Sequence, residues 1–246
     1  MKFCKYSSTG NDFLIFDNRL REIDQNPSLW KKICARRTGV GADGVIFLED
    51  SITADFKMNY INADGHAVSM CGNGLRAIST FALNDLKLTN ANGEFCIETN
   101  AGLFIAHIQK DKSIAVEMNH NTEENAHSSG DVFQNKDCIG SYYINTGVPH
   151  CVYELSSQRA LEELDVEKVG RRIRYDSLFE NGVNSNFYFV KNLEEPQIVM
   201  RTYERGVEAE TLSCGTGTVA VAMSFIRKYS LKKSISFETA GGPLSV

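Results

Sequence analysis

Apolar residues along this chain follow two different spacings. Two short segments, GADGVIFLE at 41–49 and GVNSNFYFV at 182–190, are apolar runs after a glycine turn and predict strands. Two other segments carry apolar residues three and four positions apart, which predicts amphipathic helices. The apolar faces consist of Leu75, Ile78, Phe81 and Ala82 in one helix and of Val219, Ala222, Phe225 and Ile226 in the other. The pattern indicates an α+β fold.

The second feature of the sequence is an internal repeat. SMCGNGLRAI at 69–78 is similar to LSCGTGTVAV at 212–221, and both contain Cys-Gly-x-Gly before the helical spacing. Asn62 stands nine residues before the first of these cysteines, Cys71, and Glu204 stands ten residues before the second, Cys214. Thr-Gly also precedes both NDFLIFD and VPHCVYE. Because these blocks recur in one order, we expect two equivalent α+β halves, each mostly strands with a helix that begins at Cys-Gly-x-Gly.

The boundary between the halves is predicted from the repeat and from a polar stretch. We assign residues 1–118 to the half that carries the first cysteine and residues 119–246 to the half that carries the second. The segment HNTEENAHSSGD at 120–131 is polar and predicts a linker or an exposed excursion.

Shorter helices are predicted at 27–36, where Asn26 would cap a first turn that contains Pro27, and near 165–174. A literal GxGxxG motif occupies 39–44. A dinucleotide-binding motif requires a strand, a turn and then a helix, whereas this motif has a predicted helix before it and a predicted strand after it. We therefore reject a dinucleotide site.

Length and composition limit the classes of function. The chain has 246 residues, of which 42% are hydrophobic and 23% charged, as in a globular protein with a sizeable core. Its formal net charge of −5 disfavours nucleic acid and anionic membrane surfaces as partners. The start lacks the apolar region of a secretory signal, and no apolar run approaches the roughly 20 residues that span a bilayer. We therefore expect a soluble, cytoplasmic protein.

The seven cysteines are an odd number without a CxxC pair, so neither a disulfide framework nor a structural zinc site is expected. Most of them are interpreted as small buried apolar residues. Cys151 follows His150, and adjacent residues of a strand point to opposite faces, so these two cannot form a Cys–His pair directly. Cys71 and Cys214 need another explanation, because the repeat retains a thiol at the same place in both halves.

Each Cys-Gly-x-Gly places a thiol at the N-terminus of a helix. The backbone N–H groups there lack intrahelical partners, and the helix dipole is positive at this end. We expect this environment to favour the thiolate and to lower the pKa of both cysteines. The same N–H groups can bind a carboxylate, which the glycines allow to approach the backbone closely.

Two helix starts that face one cleft would have a definite chemistry. A substrate carboxylate bound between them would have its α-carbon flanked by Cys71 and Cys214. One thiolate would remove the α-proton while the opposite thiol delivers a proton to the other face, and the helix N-termini would stabilise the enolate-like charge. This two-base inversion needs neither a metal nor pyridoxal phosphate. The sequence therefore predicts a cofactor-independent amino-acid racemase or epimerase.

The motifs around these cysteines resemble the diaminopimelate epimerase family. The similar segments are TGNDFLIFDNR (9–19), RRTGVGADG (36–44), NADGHAVSMCGNGLR (62–76), TGVPHCV (146–152), GVNSNF (182–187) and RTYERGVEAETLSCGTGT (201–218). The resemblance implies two pseudo-symmetric halves, each a barrel-like, mostly antiparallel sheet around a central helix. It also implies interconversion of LL- and meso-2,6-diaminopimelate, in lysine and peptidoglycan precursor biosynthesis, without a cofactor or a metal.

The resemblance further implies roles for individual residues. Cys71 and Cys214 would exchange the α-proton, and His150 and Glu204 would tune their protonation. The expected substrate-binding residues are Asn11, Asn62, Gly72, Asn73, Asn184, Glu204, Arg205, Gly215 and Thr216. The residue types suit an amino-acid substrate, because an arginine fork matches a carboxylate, a glutamate pairs with an ammonium group and an asparagine amide serves either.

The chain departs from the family pattern in three places. Family members usually have asparagine before Pro-His, where this chain has Val148, and many have glutamine where this chain has Gly44. Members usually also continue beyond GGPLSV, so a final segment that returns to the first half is expected to be absent from this chain.

These departures leave two alternatives to diaminopimelate epimerase. One is a related two-cysteine racemase of another amino acid, such as histidine, and a substrate panel separates it from the epimerase. The other is an inactive homologue that binds an amino acid. The expected partner in each case is a small amino-acid molecule, and the sequence leaves open a homodimer.

Overall fold

The computed structural model describes residues 2–89, 92–118, 133, 135–231 and 233–246. The chain divides into two compact units, residues 1–118 and 119–246. The segment 120–131, interpreted above as a linker, lies outside the described residues. Among the described residues, no helix has both the length and the apolar character needed to cross a bilayer.

The first unit is built on an eight-stranded mixed sheet. Its strands are β1 (Cys4–Ser8), β2 (Asn11–Asp17), β3 (Gly44–Glu49), β4 (Phe56–Asn62), β5 (Ala67–Val68), β6 (Glu94–Thr99), β7 (Gly102–Ile108) and β8 (Ile114–Val116). Its helices are α1 (Pro27–Cys34) and α2 (Gly72–Asn84). The strand order is β1-β2-β3-β4-β6-β7-β8, and β5 pairs with β4.

The second unit is built on a seven-stranded mixed sheet. Its strands are β9 (Cys138–Asn145), β10 (Pro149–Leu155), β11 (Asn184–Asn192), β12 (Gln197–Glu204), β13 (Ala209–Thr211), β14 (Ser236–Thr239) and β15 (Gly242–Ser245). Its helices are α3 (Gln158–Glu162), α4 (Val166–Arg174) and α5 (Gly215–Tyr229). The strand order is β15-β14-β12-β11-β10-β9, and β13 pairs with β12.

The two sheets share one pairing pattern. In each, the second strand pairs antiparallel with the first and parallel with the third, and the fourth pairs antiparallel with the third. The fourth strand also pairs parallel with the strand that follows the long helix. Strands β2, β3 and β4 therefore correspond to β10, β11 and β12, and α2 corresponds to α5. The predicted fold of two pseudo-symmetric α+β halves is confirmed.

Each long helix packs its apolar face on the sheet of its own unit. Helix α2 contacts β1 at one edge of the first sheet and β8 at the other, so the sheet curls around the helix. All four apolar residues predicted for its face are buried in that core. In the second unit, α5 contacts β9, β10 and β11. Its predicted face is also covered, because Val219, Ala222 and Phe225 are buried and Ile226 packs against the same core.

The predicted short helices are confirmed as α1 and α4. Oδ1 of Asn26 accepts a hydrogen bond from the backbone N–H of Ser28 at 3.0 Å, which satisfies one N–H group at the start of α1. This helix ends at Cys34, two residues earlier than predicted. The GxGxxG segment follows α1 and leads into β3, which is the reverse of the order that a dinucleotide site requires.

Candidate active site: two cysteine half-sites

In each unit the long helix begins directly after a cysteine. Cys71 is the N-cap of α2, and its Sγ accepts a hydrogen bond from the backbone N–H of Gly74 at 3.4 Å. Cys214 is the N-cap of α5, and its Sγ accepts from the N–H of Gly217 at 3.4 Å. Sulfur thus takes the place of the oxygen that usually caps a helix. The predicted position of both thiols at helix starts is confirmed.

The second glycine of each Cys-Gly-x-Gly motif permits this close approach. A Cβ on Gly217 would overlap Oδ1 of Asn186 and would lie 3.2 Å from Sγ of Cys214. A Cβ on Gly74 would lie 3.2 Å from Cδ1 of Ile46, which is the far end of an apolar side chain. The helix start is therefore packed more tightly in the second unit than in the first.

Cys71 is half-buried and lies beside an oriented amide. Its thiol donates to Oδ1 of Asn11 over 3.9 Å. Nδ2 of Asn11 donates to Oδ2 of Asp43 at 2.9 Å, and Arg36 holds the same carboxylate at 2.6 Å. Because a carboxylate only accepts hydrogen bonds, Asp43 keeps the amide oxygen of Asn11 turned toward the thiol.

The second residue of α2 extends this half-site. Asn73 is buried, and its Nδ2 donates to Oδ1 of Asn11 at 3.5 Å. Its Oδ1 accepts from the guanidinium of Arg76 and lies 3.4 Å from Oγ1 of Thr9. Burial lowers the pKa of Arg76, whereas the negative charge of a Cys71 thiolate would raise it. A cation that the sequence analysis did not select therefore lies near the first cysteine.

Asn62 ends β4 and is held by a tyrosine. Its Oδ1 accepts from the hydroxyl of Tyr60 at 2.9 Å. Burial raises the pKa of Tyr60, which keeps its hydroxyl protonated and able to donate. Gly44 pairs with Asn62 across the sheet, and a Cβ at this position would overlap the ring of Tyr60. The ring of Tyr60 therefore explains why this chain has glycine at position 44.

The surroundings of Cys214 correct one prediction. Only 7% of its surface is exposed, and its thiol hydrogen-bonds to the carboxylate of Glu204. Burial and the charge of Glu204 raise the pKa of the Cys214 thiol well above its usual value. Hydrogen bonds from Thr216 and Gly217 oppose this increase without reversing it. The prediction that the helix start lowers the pKa is therefore wrong for Cys214, because burial and an adjacent carboxylate outweigh the helix dipole.

Glu204 ends β12, as Asn62 ends β4 in the first unit. Its Oε1 accepts from the hydroxyl of Thr211 at 2.8 Å. Burial raises the pKa of Glu204, and the hydrogen bonds from Thr211 and Cys214 act in the opposite direction. The second half-site therefore has a carboxyl group at a position where the first has an amide.

His150 is fully buried and reaches the thiol of Cys214 through a threonine. Its Nε2 lies 3.0 Å from Oγ1 of Thr216, which in turn lies 3.5 Å from Sγ of Cys214. Its Nδ1 lies 3.0 Å from Nδ2 of Asn186. Burial, together with the positive charge of Arg205, lowers the pKa of His150 to about 3, so the ring is neutral near pH 7.

Asn184 and Arg205 are linked to each other in the second half-site. Nδ2 of Asn184 donates to the carbonyl of Pro149 at 3.1 Å, and its Oδ1 accepts from the backbone N–H of Arg205 at 2.8 Å. The guanidinium of Arg205 donates from one nitrogen to the carbonyl of Asn181 at 3.1 Å. Asn184 thus fixes the backbone that carries Arg205, and the guanidinium fork has further donors for a carboxylate.

The structure groups the predicted residues by unit. The first half-site contains Asn11, Asn62, Cys71, Gly72 and Asn73, and the second contains His150, Asn184, Glu204, Arg205, Cys214, Gly215 and Thr216. The sequence analysis missed Tyr60, Arg76, Asn186 and Thr211, which hold these side chains in place. For Asn186 a signal was present, because residues two apart on a strand share a face and Asn184 was already selected.

Comparison with known proteins identifies the family. The family model described as Diaminopimelate epimerase matches residues 3–122 and 142–246. A diaminopimelate epimerase from Flavobacterium psychrophilum is 40% identical over 249 residues, covering 100% of this chain and 90% of that protein. One from Hydrogenobaculum is 38% identical over 259 residues, covering 99% of this chain and 90% of that protein.

Solved structures share the fold at low sequence identity. A phenazine biosynthesis protein of the PhzF family from Bacillus anthracis has a TM-score of 0.70 and 16% identity, covering 99% of this chain and 87% of that chain. A probable proline racemase from Agrobacterium radiobacter has a TM-score of 0.64 and 13% identity, covering 99% of this chain and 83% of that chain. At these identities the similarity concerns the fold alone.

Proposed function

The chain belongs to the diaminopimelate epimerase family, and we propose that it interconverts LL- and meso-2,6-diaminopimelate. The observation that carries the proposal is the pair of equivalent cysteines. Cys71 and Cys214 each cap the long helix of their unit, and each accepts a hydrogen bond from a backbone N–H group of that helix. Two thiols in equivalent settings are what a two-base inversion at one carbon requires.

In the proposed reaction, the α-carbon loses one proton from one face and gains another on the opposite face. One sulfur, as a thiolate, removes the α-proton from one face and becomes a thiol. The other sulfur, as a thiol, delivers its proton to the opposite face and becomes a thiolate. The roles exchange in the reverse direction, and the proposed steps use no cofactor. General acid–base transfer by positioned groups typically contributes 10²–10⁴-fold to a rate.

The two cysteines are suited to begin turnover in different protonation states. Burial and Glu204 favour the thiol form of Cys214, so we assign Cys214 as the proton donor when turnover starts from this form. Cys71 is then the base, and Asn11 accepts from the thiol that Cys71 becomes. Because Glu204 opposes the Cys214 thiolate formed in this step, Thr216 and Gly217 must stabilise that thiolate.

The helix starts also suit the charge that develops on the substrate. The first-turn N–H groups of a helix have no intrahelical acceptor, and here they belong to Gly72 and Asn73 in one unit and to Gly215 and Thr216 in the other. A substrate carboxylate bound by such groups is stabilised most when removal of the α-proton gives it enolate character.

The remaining polar groups suit the second amino-acid end of diaminopimelate. Arg205 offers a planar fork for the distal carboxylate. Asn62 and Asn184 offer amides at strand ends, and Glu204 offers a carboxylate for an ammonium group. A racemase of another amino acid is not favoured, because the relatives that cover the whole chain at 38–40% identity are diaminopimelate epimerases.

We also propose the cellular setting. A diaminopimelate epimerase supplies lysine and peptidoglycan precursors, and we place this protein in the cytoplasm. The substrate is a small molecule, and the net charge of −5 makes nucleic acid and anionic membrane surfaces unfavourable partners.

The test is α-proton exchange in D₂O. Reduced protein is incubated with LL-diaminopimelate, and deuterium at the α-carbon and meso product are followed together. We expect both in the wild type, and we expect Cys71→Ala and Cys214→Ala each to lose inversion. Cys96→Ala is the matched control, because Cys96 lies within strand β6 and caps neither long helix, and it should keep full activity. Inversion that survives in either helix-start variant would contradict the two-base proposal.

A further inference from the structure

The two half-sites differ in the layer of side chains beneath the thiol. Phe13 pairs with Gly44 in the first sheet as His150 pairs with Asn184 in the second, which aligns the residues of the two sheets one by one. Three aligned positions are apolar or aromatic in the first unit and polar in the second. They are Phe13, Ile46 and Tyr60 in the first unit and His150, Asn186 and Thr202 in the second.

The polar layer of the second unit centres on Asn186, which is fully buried. Its Nδ2 lies 3.1 Å from the backbone carbonyl of Cys151 and 3.0 Å from Nδ1 of His150. Its Oδ1 accepts from the hydroxyl of Thr202 at 3.1 Å. A carbonyl can only accept, so Cys151 fixes which end of the amide carries the N–H groups. The orientation of Asn186 is therefore determined by its partners.

This orientation determines the tautomer of His150. Nδ1 faces an N–H group of Asn186 and must present its lone pair. A neutral imidazole carries one proton, so that proton lies on Nε2. Nε2–H then donates to Oγ1 of Thr216 at 3.0 Å. The hydroxyl proton of Thr216 is left to point toward Sγ of Cys214, 3.5 Å away.

We propose that Asn186 is a positioning residue for the Cys214 half-reaction: it holds His150 as the Nε2–H tautomer, so that Thr216 donates its hydroxyl proton to the Cys214 thiolate. Asn186 acts through His150 and Thr216, and its hydrogen bonds go to His150, Cys151 and Thr202. The chain of donors stabilises the thiolate that forms when Cys214 has given up its proton. Two charged side chains act on this series of donors. Glu204 raises the pKa of the Cys214 thiol and so opposes the thiolate, and Arg205 lowers the pKa of His150. The inference rests on the proposed function in one respect, which is that Cys214 exchanges a proton with the substrate.

The first test reads the tautomer directly. Protein labelled with ¹⁵N-histidine contains five histidines, and a His150→Gln variant assigns the signals of His150. The ¹⁵N chemical shifts distinguish a protonated ring nitrogen from a bare one. We expect a bare Nδ1 and a protonated Nε2 in the wild type near pH 7. A protonated Nδ1 would overturn the inference.

The second test changes the tautomer. Asn186→Asp has nearly the same shape but presents an acceptor to Nδ1, so we expect the proton of His150 to move to Nδ1. Nε2 then accepts from Thr216, whose hydroxyl turns away from Cys214. We expect kcat to fall about tenfold, which is the effect of losing one hydrogen bond to a charged group, and KM to change less than about twofold. The limb of the kcat–pH profile that reports the Cys214 thiolate should move to higher pH.

Two further variants test whether the fall in kcat of Asn186→Asp comes from its added charge or from a loss of folding stability. Asn186→Leu removes the amide without adding a charge and should lower kcat in the same way, with a mixture of His150 tautomers. Tyr188 lies on the same strand as Asn186, and Tyr188→Phe removes its buried hydrogen bond of 2.9 Å to Glu154. It should lower the free energy of unfolding without changing the tautomer or the pH profile. If the Asn186 variants change kcat and stability only as Tyr188→Phe does, the inference is wrong.

The NMR measurement needs no turnover. An inactive wild type with a protonated Nε2 would therefore contradict the proposed function, whereas an active wild type with a protonated Nδ1 would contradict the role of Asn186.

Discussion

The thiol of Cys214 hydrogen-bonds to the carboxylate of Glu204, although the N-cap of a helix would by itself favour a thiolate. The carboxylate ends β12, and the thiol begins α5 ten residues later. Burial raises the pKa of both groups, which favours their protonated forms. The surroundings of Cys214 therefore favour the protonated thiol.

Glu204→Gln should change the ionisation of Cys214. Loss of the negative charge removes one of the causes that raise the pKa of this thiol, so the pKa falls. We expect the thiolate absorbance to appear at lower pH, measured as the difference from Glu204→Gln/Cys214→Ser. Epimerisation should fall at least about tenfold, because the hydrogen bond that positions the thiol becomes weaker.

The matched control for this change is Glu210→Gln. Glu210 pairs with Arg201 at 2.7 Å on β13 and β12, and its charge is not among the causes of the Cys214 shift. It should leave the thiol titration unchanged. An unchanged titration in Glu204→Gln as well would show that burial alone raises the pKa of Cys214.

Alanine at the second glycine of the motif should affect the two helix starts differently. In Gly217→Ala the new Cβ overlaps Oδ1 of Asn186, whose position is fixed by its hydrogen bonds. We expect a loss of about 2 kcal/mol in the free energy of unfolding, the usual cost of overpacking, together with loss of activity. In Gly74→Ala the new Cβ meets the end of the Ile46 side chain, which can shift.

The loss of stability in Gly74→Ala should therefore be below about 1 kcal/mol. Both values can be measured by urea denaturation monitored by circular dichroism. Equal losses in the two variants would contradict the difference in packing between the two helix starts.

The buried His150 should make stability depend on pH. Its pKa is lowered to about 3 in the folded protein from 6.5 in the unfolded chain. Between these values the unfolded chain binds a proton that the folded protein does not, so the free energy of unfolding decreases as the pH falls through this range. The decrease approaches about 1.4 kcal/mol per pH unit. His150→Gln should lose this part of the slope, whatever its stability at pH 7, and parallel curves for the two proteins would contradict the assignment.

Val148→Asn should strengthen substrate binding. Val148 is half-buried in the turn before β10, two residues before His150, and it has no polar side-chain atom. One added hydrogen bond corresponds to roughly 1 kcal/mol, so we expect KM for LL-diaminopimelate to fall about fivefold with little change in kcat. Leu193→Asn, in an exposed turn between β11 and β12, is the control and should leave KM unchanged. An unchanged KM in Val148→Asn would place this residue outside the substrate contacts.

The helices and the duplication of the fold could be predicted because their causes are local or repeated. Cys71 and Cys214 lie at helix starts because Cys-Gly-x-Gly is followed by helical spacing of apolar residues, and a cap acts within a single turn. The repeat of these blocks indicated that one supersecondary pattern occurs twice. The selection of Asn11, Glu204 and Thr216 came from the resemblance to a family, and the contacts that give these residues their chemistry are not visible in the motifs.

What the sequence by itself determined is thus the class of fold, its duplication and the placement of a thiol at the start of each long helix. Only the tertiary structure decided the state of those thiols. The pKa of Cys214 depends on how deeply it is buried and on a carboxylate from another strand, and the tautomer of His150 depends on the amide of Asn186. The physical reason is that desolvation and charge–charge interaction depend on distance in space, whereas a motif specifies only distance along the chain.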